Sequence, residues 1–339
     1  MVIVQLNIKF MKRIFVGIDI SKDWMDYAVC SDKQEGVSNS ERMANTVEGI
    51  TSMFKSLLKK YNKSDLWFCF EHTGNYGLLL SSLLQSERFC YTAAPAIEIK
   101  KSIGISRGKN DYIDAKRIAE YAATHSHKLK ESQLPSKELL EVKNLLAYRA
   151  QLTKIKSQLI NSSKSYRVAQ QVVDINYISE DLEEKISGLV KSIKKVEKKI
   201  ETVISSNKEL TNNYALIGSV KGIGLVVTAF ILVYTNNFTT FDNPRKFNCF
   251  TGIAPFEHSS GMNKGISKTS HYRHKYLKSL LFNCANSAAQ YDPQLKKYYE
   301  RKKKEGKKHL CIMNAIACKL IARVFATVKR QSPYVIFVQ

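Results

Sequence analysis

The patterning of this chain changes character once, and that change limits the folds open to it. Up to about residue 130, short apolar runs alternate with amphipathic stretches. From 136 to 210 strand signals vanish, and Leu139, Val142, Leu146, Leu152, Ile155 and Leu159 recur at near-helical spacing among many lysines. One layer type cannot bury both patterns. The sequence therefore predicts an α/β domain, a long helical, coiled-coil-like connector, and a mainly α-helical C-terminal domain.

Within the first region, the run Arg13-Ile-Phe-Val-Gly-Ile-Asp-Ile-Ser is rich in β-formers and ends in turn chemistry. A second short strand at 26–30 follows Ser21-Lys22-Asp23, which predicts a hairpin. A helix over 47–61, a strand over 66–71, a helix over 76–84 and a strand over 90–93 come next. The expected boundaries are a tail at 1–10 that adds little to the pattern, with Met11 as an alternative start, an α/β domain at 11–130, the connector at 136–210 and a domain at 211–335. The stretch from Asp181 to Glu201 mixes both charge signs, the mark of a solvated helix face. In the last domain a Gly- and Ser-containing loop is expected at 252–270, and the apolar helix at 311–328 reads as core.

Charge narrows the partner. Lys and Arg number 53 against 30 Asp and Glu, and the resulting +23 exceeds what solubility needs. Nucleic acid is the leading candidate, with a ribosome, a membrane surface or an acidic protein as the blander readings. No apolar run approaches the roughly twenty residues that cross a bilayer, and residues 1–10 lack the layout of a cleavable signal, so the expected location is cytoplasmic with no membrane partner. The seven cysteines are odd in number and never form a Cys-x-x-Cys pair, which reads as reduced, buried thiols. The histidines do not join them at zinc-ligand spacing.

Four carboxylates carry the candidate chemistry. Asp19 ends the first strand and Glu71 the equivalent end of a later one, while Asp111 and Asp114, three apart, share one face of a helix opening after Gly108-Lys-Asn. Such a cluster repels itself unless cations neutralise it. Hard divalent ions, Mg²⁺ or Mn²⁺, suit all-oxygen donors and serve two-metal phosphodiester cleavage. Singly, each aspartate also reads as a cap or turn residue, and Asp114 has Lys116 and Arg117 as alternative ion-pair partners. Lys100, Lys101, Arg107 and Lys109 either solubilise their segment or contact phosphates.

Together, Gly17-Ile-Asp-Ile-Ser-Lys, Phe70-Glu-His-Thr-Gly-Asn-Tyr and Arg107-Gly-Lys-Asn-Asp-Tyr-Ile-Asp-Ala-Lys-Arg-Ile-Ala resemble the N-terminal half of the insertion-sequence-110 family, the DEDD transposases, akin to pilin-gene invertases. The resemblance spans almost the whole chain. It implies a ribonuclease-H-like (RuvC-like) first domain whose catalytic and metal-binding tetrad falls on Asp19, Glu71, Asp111 and Asp114. Farther on, Ile217-Gly-Ser-Val-Lys-Gly-Ile-Gly resembles a helix-hairpin-helix turn. There Gly222 and Gly224 admit a phosphate to the backbone or, equally, a close-packed helix. The run Phe247-Asn-Cys-Phe-Thr-Gly-Ile-Ala-Pro-Phe-Glu-His-Ser-Ser-Gly resembles the family's second signature, in which the serine before glycine is a nucleophile toward DNA. That serine is Ser260, with Ser259 its adjacent competitor and a plain turn the alternative.

The next segment departs from the commonest family wording at Thr269-Ser-His and Lys278, yet Lys268, Arg273, Lys275 and Lys278 still offer cations to phosphate. Tyr272 and Tyr276 stack on bases or simply pack, and Arg301-Lys-Lys-Lys with Lys307 and Lys308 forms a basic edge. The resemblance thus implies a recombinase that moves an insertion element between donor and target DNA. It also implies guidance by a noncoding bridge RNA and homodimers that assemble into a tetramer through the connector. The rival expectations are a structure-selective Holliday-junction-type nuclease and a noncatalytic nucleic-acid-binding remnant.

Overall fold

The computed structural model describes residues 14–31, 36–72, 74–103, 111–256, 259–260, 263–264, 268–269 and 273–335, with backbone only for Ile103, Asp111, Ser259, Ser260, Asn263, Lys264 and Lys268. The chain divides into two compact units at Leu134/Pro135.

The first unit contains β1 (Ile14–Ile20), β2 (Trp24–Ser31), β3 (Glu41–Ala44), α1 (Val47–Lys60), β4 (Leu66–Glu71), α2 (Leu78–Ser86), β5 (Cys90–Ala94), α3 (Ala96–Ile103) and α4 (Asp111–Thr124). Its sheet runs β3-β2-β1-β4-β5. The expected hairpin is β1–β2, antiparallel from Ile14↔Ser31 to Ile20↔Met25, whereas β1–β4 and β4–β5 are parallel. Strands covered on both faces read as nearly continuous apolar runs, and these do. Ile14, Val16, Ile18 and Ile20 pack with Phe68, Phe70, Ile50, Phe54 and Leu80 beneath α1 and α2. On the opposite face, Phe15, Trp67, Cys69 and Ala94 pack against Ile99, Ile118, Tyr121 and Ala122 of α3 and α4. A mainly helical unit follows this first one.

The second unit opens with α5 (Lys137–Ala169), capped by the Ser136 hydroxyl accepting from Leu139 N–H, and α6 (Asn176–Ser205). They run antiparallel, because Glu141 pairs with Lys199 while Arg149 pairs with Glu197. The anticipated connector is therefore a hairpin of two helices from one chain. Its buried positions, among them Leu139, Val142, Leu146, Ile193, Val196 and Ile200, share one core with the helices that follow. The apolar repeat outruns that core: Ile155, Val168, Val172 and Tyr177 are exposed.

There follow α7 (Lys208–Gly218), α8 (Leu225–Tyr234), α9 (Pro244–Thr251), the two-residue strands β6 (Pro255–Phe256), β7 (Ser259–Ser260), β8 (Asn263–Lys264) and β9 (Lys268–Thr269), and then α10 (Lys275–Tyr291), α11 (Pro293–Lys304) and α12 (His309–Arg330). The segment expected as a plain loop thus pairs with itself, β6 against β9 and β7 against β8. Two further expectations are corrected. The 22-residue α12 is long and apolar enough to cross a membrane by length and composition. Its Ile312, Ile316, Leu320, Ile321 and Val324 are instead buried in the core, as the 311–328 reading required. Among the cysteines all seven are free, but Cys311 is exposed and only Cys69 and Cys284 are fully buried.

Candidate active site

Strand register brings the first two carboxylates together. Ile18 lies beside Phe70 in the parallel β1–β4 pair, so Asp19 and Glu71 come next on adjacent strands, and both are half-buried. Alternation puts Asp19 on the face of Phe15 and Gly17, and Glu71 on that of Trp67 and Cys69. Helix α4 covers this face, touching β1 with its backbone. A Cβ built on Gly17 would lie 2.1 Å from Ala119 N and 2.5 Å from Ala115 O, so only glycine admits the helix there.

Contacts along α4 give its direction. Ile118, Tyr121 and Ala122 cluster with Phe15, Trp67 and Cys69, toward the start of the strands, while Ala115 and Ala119 sit over Gly17. The first turn of α4, with positions 111 and 114, consequently extends toward the carboxyl ends of β1 and β4. Asp114 Oδ1 accepts from Arg117 Nη1 at 2.9 Å, which selects Arg117 from its two candidate partners. The side chain of Asp111 is outside the described residues, and among those described no three His, Cys, Asp or Glu side chains form a group able to hold a metal. Burial pushes the Cys69 thiol up to about 12, making it packing, not a nucleophile.

Sequence reasoning missed the pair beside this cluster. Asp26, directly opposite Asp19 in the β1–β2 register, is 3% exposed and takes a bidentate ion pair from Arg42 on β3, with Nε and Nη2 each 3.0 Å from a carboxylate oxygen. The Arg42 guanidinium also sits 5.0 Å from the centroid of Tyr112, in the first turn of α4. Ser40 Oγ donates to Tyr112 O at 2.7 Å, and Lys116 Nζ donates to Asn39 Oδ1 at 3.3 Å. Strand β3 and the residues before it therefore tie down the turn that carries positions 111 and 114. The available signal was a carboxylate between Met25 and Tyr27, both buried core residues of the same strand.

In the second unit Gly222 adopts φ +94°, and its missing Cβ would meet Ala288 Cβ at 2.9 Å and Cys284 O at 3.1 Å, so α10 packs on its backbone. At Gly224, the N-cap of α8, a Cβ would meet nothing within 4 Å. Ser260 lies in the inner strand pair, opposite Asn263, with Ser259 opposite Lys264.

The segment bearing these serines is tied at its base. Gly252, φ +72°, lies under Arg273, whose Cβ would be 2.5 Å from an added methyl. Arg273 Nη1 and Lys278 Nζ both donate to Thr269 Oγ1 at 3.2 Å. Burial and the neighbouring Arg273 charge pull the Lys278 ammonium below its ordinary value. His274 Nδ1 accepts from Leu277 N–H and Nε2 lies 2.7 Å from Tyr234 Oη; burial lowers its basicity. Tyr276 packs against Phe230, ring centroids 5.5 Å apart, and Lys275 is exposed at the start of α10. Lys268 is described by its backbone alone, and Arg107, Lys109 and Tyr272 lie outside the described residues.

Comparison with known proteins is consistent with both halves. Residues 16–166 match the family model "Transposase" of the IS110 DEDD type, and residues 214–300 match "Transposase IS116/IS110/IS902 family". The "Pilin gene-inverting protein" of Moraxella bovis is 27% identical over 96% of this chain and 98% of its own length, and that of Moraxella lacunata is 27% identical with the same coverage. The "Insertion element IS110 uncharacterized 43.6 kDa protein" of Streptomyces coelicolor is 26% identical over 34% of this chain and 28% of its own length. A solved chain described as "T. thermophilus RuvC in complex with Holliday junction substrate" superposes over 36% of this chain and 99% of its own, with 11% identity and a TM-score of 0.28, too slight a likeness to carry an argument. On the two family models, whose matches fall on the two motif-bearing regions, the chain belongs to the IS110 family of transposases.

Proposed function

We propose that this transposase cuts and rejoins DNA to mobilise an insertion element, with a divalent-metal centre on its first unit and a serine nucleophile on its second. The observation that carries this reading is the seating of α4 on Gly17, which directs the first turn of α4 toward the strand ends that bear Asp19 and Glu71. Four carboxylates at one sheet end form a hard-oxygen donor set whose repulsion calls for cations, and Arg117 supplies part of that compensation through Asp114. Held by Asp19, Glu71, Asp111 and Asp114, Mg²⁺ or Mn²⁺ would make a phosphodiester more electrophilic and stabilise the departing oxygen. Asp26 and Arg42 position the α4 turn and do not act on substrate.

Ser260 is the proposed nucleophile. Its oxygen attacks phosphorus, its proton passes to a base, and a deoxyribose oxygen leaves, which stores the phosphodiester on the protein for rejoining. Arg273 and Lys278, converging on Thr269 at the base of the serine-bearing segment, would hold the phosphate. The excess of cations suits a load of DNA together with a noncoding bridge RNA. The exposed Val168, Val172 and Tyr177 where α5 meets α6 supply an apolar surface for dimers that pair into a tetramer.

The test is recombination in cells between donor and target plasmids with the element's flanking noncoding DNA supplied. Products from the wild type but from neither Ser260→Ala nor Asp19→Ala are expected, together with a detergent-stable protein–DNA adduct that Ser260→Ala lacks. Full product yield from Ser260→Ala would transfer the attack to Ser259 or water and overturn the serine assignment.

A further inference from the structure

Between Pro293 and Lys308 eight lysines and arginines face two glutamates. This cationic stretch does not lie on a featureless surface. Two concavities meet along α11. One is lined by Lys297, Tyr298, Arg301, Lys319 and Arg323, the other by Lys297, Glu300, Arg301, Lys304 and Glu305, so Lys297 and Arg301 belong to both. Helix α11 forms one wall. The other is α12, whose only cations between His309 and Lys329 are Lys319 and Arg323, one turn apart and both in this groove.

The internal carboxylates do not neutralise the groove. Asp292, fully buried, pairs with Arg323 at 2.7 Å while capping α11 through Leu295 N–H, and Glu305 takes Lys302 and Arg301. Among the described residues no carboxylate pairs with Lys297, Lys304 or Lys319. The Lys319 ammonium instead lies 4.8 Å from the Tyr298 ring centroid, with the Arg301 guanidinium 5.6 Å from the same ring. Cations gathered around one ring repel each other, and a polyanion relieves that repulsion.

The spacing selects an extended ligand. Lys297, Arg301 and Lys304 follow at i, i+4 and i+7, a row roughly 10 Å long on one side of the helix. One isolated phosphate would reach only part of it. Across the two concavities five cations outnumber the two carboxylates, Glu300 and Glu305, and beside them stand one aromatic ring and one side-chain amide, Gln294, so the lining recognises a charged backbone without reading bases. We propose that the α11–α12 groove seats the phosphodiester backbone of duplex DNA as a sequence-independent anchor. The proposal rests on the DNA-processing reading above and names a surface that reading does not use.

The test is fluorescence anisotropy with the full-length protein and a labelled duplex of arbitrary sequence, titrated at several salt concentrations. Because the target side chains are exposed, Lys297→Ala/Arg301→Ala/Lys304→Ala should fold normally, which thermal unfolding checks. Losing three phosphate contacts should flatten the slope of log affinity against log salt by about 2.7, at roughly 0.9 per contact, and lower affinity at least tenfold at low salt. Lys319→Ala should flatten it by about 0.9. The control removes equal charge from exposed positions of α6, Lys194→Ala/Lys195→Ala/Lys198→Ala. Equal losses in both triples would reduce the effect to net charge and overturn the groove. So would a groove triple that loses binding to a structured RNA of equal length while holding the duplex as the wild type does. Salt-dependent binding by the wild type with an unchanged slope in the groove triple would sink the groove alone; no binding by the wild type would sink the DNA reading with it.

Discussion

Gly17→Ala tests the contact on which the candidate active site depends. An added methyl would lie 2.1 Å from Ala119 N, 2.5 Å from Ala115 O and 2.7 Å from Ala119 Cα, all backbone atoms that no rotamer change can move. Restoring ordinary contact near 3.5 Å requires α4 and β1 to separate by about 1.4 Å. A gap of that size forfeits much of the dispersion energy of Ile118, Tyr121 and Ala122 against Phe15, Trp67 and Cys69. Overpacking against flexible neighbours costs about 1–3 kcal/mol, and here the neighbour is backbone, so a loss of about 3 kcal/mol or more is expected. Both tryptophans, Trp24 and Trp67, lie in the first unit, so urea denaturation followed by tryptophan fluorescence isolates that unit. Because the shift also carries the first turn of α4 away from Asp19, strand cleavage should fall roughly a hundredfold even where the variant is folded. A midpoint equivalent to less than about 0.5 kcal/mol of change, with cleavage intact, would show that α4 does not rest on Gly17.

Three further outcomes are expected. Asp26→Asn should cost about 1–3 kcal/mol in the same assay, below the range for fully buried pairs because the Arg42 side chain is 41% exposed; a double-mutant cycle with Arg42→Gln should show coupling between the two, and additive losses would dissolve the pair. Gly222→Ala, strained at φ +94° and crowded by Ala288, should lose about 1–3 kcal/mol by chemical denaturation, whereas Gly224→Ala should stay within about 0.5 kcal/mol, so that a loss of DNA affinity confined to Gly224→Ala would mark a backbone–phosphate contact there. His274 has a folded basicity below its ordinary value of 6.5, chiefly through burial, and protonating Nδ1 would also break its cap on Leu277. Since the unfolded chain then binds more protons, the stabilisation is complete above pH 6.5 and is lost as pH falls through the lower folded value; circular dichroism should show wild type losing more stability than His274→Asn on acidification, and parallel losses would exclude His274.

Local order was legible in the sequence because periodicity is a property of near neighbours. Alternation and i, i+3/i+4 spacing located β1, β2, β4, β5, α1 and the apolar α12, and the motifs nominated Asp19, Glu71, Asp111, Asp114 and Ser260 as the candidate site. The charge excess likewise pointed to a polyanion before any fold was known. What the tertiary structure decided were choices between partners distant in the chain. The length and apolarity of α12 suit a membrane or a core equally, and only its burial against α10 selects the core. Asp114 had two basic neighbours, and side-chain geometry chose Arg117. The regular apolar repeat of α5 had no stated partner until α6 folded back along it. Asp26 looked like one charge in a strand, and it became part of the site only when β-sheet register put it beside Asp19 and β3 supplied Arg42. Gly17 and Gly222 are the same residue type in a sequence; the helix backbones packed on them belong to α4, whose Ala115 and Ala119 meet Gly17, and to α10, whose Cys284 and Ala288 meet Gly222, contacts between residues far apart in the chain that no local pattern encodes.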